Sequence, residues 1–526
     1  MHDAIIIGSG PSGVAAAYKL QDRKILLIDV GQTSKQPDGL TENFFDIRKK
    51  AELYFDSLIG TNFESLDNID KKYLSPKIKA PFQRYVIDGG NRFGSIGSET
   101  FRGFMSYAQG GLANAWGAQL YRFNDYDLKE FPISASDLEP YYDELTKLIG
   151  ICGQDDDLTP FYGSTKGLLP PLQLCTLGAD LFKKYTKQKK YFHQKKIYIG
   201  RPRLGILSID YCDRKKCDYS NLDFFQPQLP YLYTPSVTLH ELIAQKKLNY
   251  KPGYLVENYK ELNGKVIVEA KNIDTGRKEV FESKKLILAA GTFGTAKIVL
   301  NSNEDFQAKL PLMDNALSYI PFLNFFRMGS RQEKCSLYTQ LNLCYTGNLC
   351  DELVMGTFYA ITGILHSDIL FDMPLAVKSN IIVSRYALPA IIVLNLWYPA
   401  KKRETNYVEL SRSGNLHINY KPEVIGDVER YLIRQFIKIG YFSTPFLCKY
   451  PMPGNGFHYA GTIPMRSKPT KKNETDSYGL LYGSKRVHVV DGSNFPSLPA
   501  KNLSFTIMAN AMRIADNIKK ELAEDA

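Results

Sequence analysis

Two stretches of this chain carry residue types at spacings that could do chemistry. The first is IIIGSGPSGV near the N-terminus, with Gly8, Gly10 and Gly13 in G-x-G-x-x-G register and Asp29 closing the apolar run ILLI. The second is GFHYAGTIPM near the C-terminus, where His458 stands three residues before a Gly-Thr pair in a chain with only seven histidines. The glycines allow a tight turn, let a pyrophosphate approach the backbone and let helix and strand pack closely. Ser12 stands in the same turn. The helix that follows would present unpaired N–H groups and a partial positive charge to phosphates. Asp29, 21 residues after the first glycine, is placed to accept hydrogen bonds from a ribose diol. An acid there disfavours a 2′-phosphate. His458 is either a spectator packed under a turn or the base of an active site, and alone it does not decide between them.

The element order around the first motif is β-α-β: the apolar run AIII, the glycine turn, a small-residue helix and the run ILLI. Such a unit binds dinucleotides. At 526 residues the chain exceeds what one hydrophobic core supports, so two or more substructures are expected. Its 44% hydrophobic and 23% charged residues are those of a soluble globular protein. The net charge is +11, and the densest basic stretch, 183–203, holds nine Lys or Arg and no acid. A solvated helix face followed by a strand accounts for it; an anionic substrate or an anionic membrane surface are the sharper alternatives. No nucleic-acid module accompanies the stretch, so nucleic acid is not expected as a partner.

The eight cysteines are scattered, and Cys212 and Cys217, spaced C-x4-C, lack the second pair that a zinc site needs. No metal is expected, and reduced thiols in a cytoplasmic protein are the default. No charged leader with a hydrophobic segment precedes Asp3, and no apolar run reaches the length of a transmembrane helix. The nearest run, 386–400, holds two prolines and an asparagine and reads as buried strands; peripheral membrane contact stays open.

Along the chain, 32–95 is polar and irregular, like a lid or insertion, and 106–123 is a small-residue turn around Gly110 and Gly111. A helix restarts over 137–150 with Asp137 as its cap. Residues 232–300 alternate apolar and polar before a helix at TFGTAKIVLNS. The block from about 300 to 450, with LVMGTFYAI, NIIVSRYA, AIIVLNLWY, NYVELS and NLHINY, reads as strands of a second, mostly antiparallel sheet. The expected fold class is therefore α/β. A discontinuous Rossmann-like domain (1–150, 201–304, 453–526) would enclose a β-sheet substrate domain carrying helices (151–200, 305–452).

Four separated stretches resemble the glucose–methanol–choline (GMC) flavoprotein oxidoreductases: GSGPSG with Asp29, QGGLANAWGAQLYRF, AAGTFGT, and HYAGT followed by VVDGSNFPSLPAKNLSFT. The lead-in PISASDLEPYYDE is similar to the sugar-oxidising branch that includes pyranose oxidase. The resemblance runs from residue 3 to about 520, tightest at the two ends and vague over 32–90 and 305–450. It implies FAD. Val256 matches the position whose backbone meets the adenine, and Ala290 and Gly291 would line the dinucleotide cleft. Gly110 and Gly111, with Asn114, Trp116 and Gly117, match the loop along the flavin ring. Asp491 and Gly492 fall where the family touches the ribityl chain and pyrophosphate, and Leu503 follows them at the start of the closing helix. Some relatives carry a flavin-tethering histidine just before the tryptophan; here that residue is Ala115, so non-covalent FAD is expected.

The same resemblance settles an expectation for His458. In the family the H-x-x-G-T histidine lies over flavin N5, paired with a His or Asn that matches Asn502 here. The implied chemistry is oxidation of an alcohol. His458 would take the hydroxyl proton while hydride leaves carbon for flavin N5, and Asn502 would orient the oxygen. A secondary hydroxyl of a small-molecule sugar or glycan, possibly anionic, becoming a ketone is the first expectation. A lipid or sterol alcohol is the second, and a non-catalytic flavin-containing scaffold the third. The electron acceptor and the oligomeric state are not read from the sequence. His488, alternating with apolar residues in RVHVV, is read as structural.

Overall fold

The computed structural model describes residues 1–34, 44–47, 49–50, 60, 78, 80–222, 228–331, 333, 336–361 and 376–524. Most of the insertion expected over 32–95 lies outside them. The N-terminal β-α-β unit forms as the spacing predicts: β1 (His2–Ile7), α1 (Pro11–Lys19) and β2 (Ile25–Ile28). These strands are apolar on both faces because both faces are covered. Ala4 and Ile6 pack under α1 and the closing helix, while Ile5 and Ile7 belong to a core on the other side.

The seven-stranded sheet runs 249–251, β2, β1, β3 (Lys278–Leu288), 265–272 and 254–262, with 487–489 on the free side of β3. β1 pairs in parallel with β2 and β3, and 487–489 pairs in parallel with β3. Strands 254–262 and 265–272 are antiparallel. The N-terminal, middle and C-terminal stretches thus meet in one sheet.

A second, five-stranded antiparallel sheet has the order β4 (Leu317–Leu323), β7 (Ile391–Trp397), β6 (Val354–Ala360), β5 (Thr339–Tyr345) and the short strand Ile197–Gly200. Its outer face is apolar (Ile320, Leu343, Phe358, Leu394) and packs against α2 (Thr176–Lys187) and α4 (Asp427–Ile437). The basic stretch 183–203 spans the end of α2, a short helix (Lys189–Gln194) and that fifth strand.

Three expectations change. NIIVSRYA does not form a strand but the helix Val377–Ala387; its buried positions, Asn380, Ser384 and Ala387, lie at helical spacing and two of them are polar, so an apolar-run pattern misses the stripe. The run 386–400 is accordingly helix, then a short turn, then β7. The hairpin of NYVELS and NLHINY does not join the second sheet: Val408, Leu410, Leu416 and Ile418 pack into the core beneath β1 and β2, because alternation reports a buried face but not which core buries it. Finally, the helix Ala135–Ile149 is capped by Ser134, and Asp137 is the third helical residue of a capping box, its carboxylate accepting from Ser134 N at 2.8 Å.

Candidate active site and cofactor cradle

The glycine turn is shaped by close approach. A Cβ on Gly13 would stand 1.9 Å from the Gly8 carbonyl oxygen, and one on Gly8 (φ +98°) would stand 2.6 Å from the Ala289 oxygen. Gly10 differs: a Cβ there meets no atom within 4 Å, so this glycine faces open space at the N-terminus of α1. Ser12, buried in the first turn, continues that terminus. Here the missing side chain leaves room for a ligand rather than for the fold.

Asp29 is partly exposed at the end of β2 and accepts from Ser9 N at 3.2 Å and from the Ser9 hydroxyl. Burial raises its pKa to about 6, against the lowering effect of the Ser9 hydrogen bonds. Ser9, not foreseen from the sequence, also accepts from Gly110 N at 2.9 Å, tying the phosphate turn to the second glycine loop. Gly110 (φ +88°) and Gly111 (φ +63°) both need the left-handed conformation. Asn114 donates its amide N–H groups to the carbonyls of Gln109 (2.7 Å) and Gly111 (2.8 Å), so it shapes this loop and offers a ligand only its oxygen. Trp116 donates Nε1–H to Tyr233 O at 3.0 Å and packs between two cores, with Gly117 following at a half-buried position.

Val256 is buried in the edge strand 254–262, two residues after Tyr254, whose N–H donates to Asp29 O at 3.0 Å. Ala290 and Gly291 open α3 (Gly291–Ser302). The buried Asp491 carboxylate accepts there from Gly291 N (2.9 Å) and Thr295 Oγ1 (2.5 Å), and from Ser493 N (2.9 Å). Burial raises its pKa, and its role in the fold is to lock the strand end 487–489 onto α3. Gly492 is next to it and offers its carbonyl to Gly461 N at 3.0 Å.

This last bond places the histidine. Tyr459 and Ala460 pair antiparallel with Asp314 and Met313, which sets Asn315 beside His458. His458 Nδ1 lies 3.0 Å from Asn315 Oδ1, and its Nε2 lies 3.2 Å from Asn502 Nδ2. The indole of Trp397, at the end of β7, stacks on the imidazole with centroids 4.2 Å apart. Gly456 makes room for it: a Cβ there would stand 2.6 Å from the Trp397 ring.

The buried Asn315 amide is fixed in orientation, because its Nδ2 donates to Tyr398 O (2.7 Å) and Pro499 O (3.1 Å). Its oxygen therefore faces His458 Nδ1 and can only accept, so Nδ1 carries the proton and Nε2 keeps its lone pair. Burial lowers the His458 pKa to about 3, so the ring is neutral at physiological pH. Asn502 Oδ1 is buried with no hydrogen-bond partner among the described residues. A hydroxyl placed between the two side chains could donate to Nε2 and accept from Asn502 Nδ2. Lys501, paired with Asp127 in the interior, anchors the turn carrying Asn502 and leads to Leu503 and α5 (Ser504–Glu524). His488, by contrast, is fully buried with Nδ1 against Tyr478 O at 3.2 Å, a core histidine.

The inner face of the second sheet looks toward His458 and is mixed, with Leu317, Cys344 and Met355 packed around Trp397 and polar side chains beyond them. By register Asn342, Thr357 and Asn395 share the face of Trp397. Asn342 Nδ2 donates to Gln119 Oε1 at 3.1 Å and Thr357 Oγ1 at 3.2 Å. Asn342 Oδ1, Asn395 Oδ1 and Trp397 Nε1 are buried without a partner among the described residues. Alternation alone could not show this, because it does not say which face meets the histidine.

A family model described as GMC oxidoreductase matches residues 448–511, the segment that holds both His458 and Asn502. The segment carrying the histidine–asparagine pair is thus that of a GMC oxidoreductase. A C-glycoside 3-oxidase of Microbacterium trichothecenolyticum is 25% identical over 183 residues, 34% of this chain and 35% of that protein. The match thus spans about a third of that relative's length. Two solved structures share the fold at 13% identity: formate oxidase from Aspergillus oryzae (TM-score 0.62, covering 99% of each chain) and pyridoxine 4-oxidase from Mesorbium loti (TM-score 0.57, covering 98% of this chain and 99% of that one). GMC oxidoreductases bind FAD. The residues here fit it: open space at Gly10, the partly exposed Asp29 carboxylate and two left-handed glycines beside that turn form a cradle for a flat dinucleotide. Among the described residues no cluster of three His, Cys, Asp or Glu could hold a metal, and no helix is long and apolar enough to cross a membrane.

Proposed function

We propose that this GMC oxidoreductase oxidises a secondary hydroxyl of a carbohydrate or related polyol to a ketone. The observation that carries the proposal is the buried His458–Asn502 pair, with Nε2 left as a lone-pair acceptor by Asn315. His458 Nε2 takes the hydroxyl proton, and the charge that forms on the ring is held by the Nδ1–H bond to Asn315. Asn502 keeps the oxygen aimed as its proton leaves, and the stacked Trp397 excludes water from that side of the imidazole. FAD, when bound, supplies the two-electron acceptor for the hydride. Gly8, Gly10, Ser12, Gly13 and Asp29 hold its adenosine and pyrophosphate. Gly110, Gly111, Asn114, Trp116, Gly117, Ala290, Gly291, Asp491, Gly492 and Leu503 shape the rest of its cleft, with Val256 against the adenine. Ala115 provides no side chain that could bond to the flavin, which supports non-covalent attachment.

The sugar is favoured over an apolar alcohol by the inner sheet face, where the Asn342 and Asn395 oxygens and the Trp397 N–H have no partner among the described residues. The likeness to a C-glycoside 3-oxidase points the same way. The test is anaerobic titration of the FAD-loaded protein: sugars should bleach the flavin, and His458→Gln should keep the flavin yet slow bleaching about a hundredfold or more. Bleaching by hydrophobic alcohols but not by sugars would overturn the substrate class. Unchanged bleaching in the variant would overturn the role of His458.

A further inference from the structure

We propose that the end of the second sheet farthest from His458 docks on an anionic phospholipid surface. Two short turns project there. Phe326, in the turn Phe325–Arg327 after β4, is 86% exposed, and Phe446, in the turn Pro445–Leu447, is 81% exposed. They belong to one patch. Phe325 and Phe442 pack as tilted rings with centroids 5.1 Å apart, Phe442 and Lys449 bridge Leu323 and Tyr319 so that the Phe446 turn between them runs along the edge of β4, and Gly329 N donates to Tyr386 O at 2.8 Å. Tyr386 is itself exposed.

The segments that form the patch carry only positive charge, and the nearby Asp180 is paired with Lys184. Residues 316–331, 376–403 and 438–473 contain no Asp or Glu, while Arg327, Arg331, Arg385 and Lys438 lie within them. None of these cations is paired with a carboxylate among the described residues. Other surface cations do find carboxylates, as Lys129 does Glu352 and Lys251 does Glu279. Protruding phenylalanines with cations and an exposed tyrosine beside them are the composition that partitions into the headgroup region of an anionic bilayer. A protein partner would need a recess complementary to each protrusion; a bilayer needs none. β7 runs from this end, at Ile391, to Trp397 beside His458, so docking would hold the site about 20 Å above the headgroups. The proposal does not depend on which alcohol is oxidised.

The test is sedimentation of the full-length, FAD-loaded protein with vesicles of phosphatidylcholine alone or of equimolar phosphatidylcholine and phosphatidylglycerol. The expected result is binding to the anionic vesicles only, weakened by salt, and reduced about tenfold or more in Phe326→Ser/Phe446→Ser. Because both rings are exposed, that variant should keep its flavin spectrum and melting temperature. Arg327→Gln/Lys438→Gln should lose a smaller part of the binding and most of its salt dependence. No sedimentation with anionic vesicles, or equal binding by the double phenylalanine variant, would overturn the proposal. So would a concentration-dependent dimer, seen by analytical ultracentrifugation, that the same variant dissolves; the face would then be a subunit contact.

Discussion

The cofactor cradle and the inner face of the second sheet both present polar groups, yet they are built by opposite means. The cradle is made of backbone: glycines that admit a close carbonyl, a helix N-terminus and one carboxylate. The sheet face is made of side chains, Asn342, Thr357, Asn395 and Trp397, delivered by three strands in register. A backbone-built site tolerates no side chain at a few fixed positions, and so leaves a local mark in the sequence. A side-chain-built site leaves a mark only in the pairing of strands that are far apart along the chain.

The largest expected effect separates two glycines of one turn. Gly13→Ala drives a Cβ to 1.9 Å from the Gly8 oxygen, so no folded holoprotein should be recovered. Gly10→Ala meets nothing in the protein, so the melting temperature of the FAD-free protein should hold while FAD affinity drops about tenfold or more by calorimetry. Equal losses for both would show that the turn acts only on the fold.

On the other side of the comparison, Asn315→Leu removes the acceptor that fixes the His458 tautomer. Turnover should fall about tenfold to a hundredfold with KM little changed, and Asn315→Asp should restore part of it with a shifted pH profile. A loss confined to thermal stability would make Asn315 a packing residue only.

Smaller effects come from the two perturbed carboxylates. Asp29, raised to about 6, must be ionised to accept from a ribose diol, so FAD affinity should weaken as pH falls through about 6. Asp29→Asn should lower affinity by about tenfold and abolish that pH dependence. Asp314, buried beside Asn315 with one oxygen bound by Gly454 N at 2.7 Å and the other without a partner among the described residues, is raised to about 8 by burial. A raised carboxyl stabilises the fold while protonated and loses that contribution as pH rises from its unfolded value through about 8. Asp314→Asn should therefore raise the melting temperature by a few degrees at pH above about 8 and change it little in acid. His458, held near 3, has the opposite sign: the unfolded ring binds a proton that the folded one refuses, so stability should fall as pH drops below its ordinary value toward about 3.

The sequence by itself determined the β-α-β unit, the acid at the end of its second strand, and the order of the small-residue turns that the family shares. Those features are local: a glycine where a carbonyl must approach within 3 Å, or a helix that must start at a phosphate, is written at its own position. It also singled out His458 and Asn502, through a motif and a resemblance. Tertiary structure alone decided which proton the imidazole keeps, because Asn315 lies 143 residues away and faces it only through the pairing of Asp314 with Tyr459. It decided that Asp491 and Asn114 spend their hydrogen bonds on the fold, that Ser9 joins the two glycine loops, and that the hairpin 407–419 serves the first core rather than the second sheet. It decided the mixed inner face as well. Alternation records that a strand has two faces; only closing the sheet against the flavin domain chooses which of them meets the histidine.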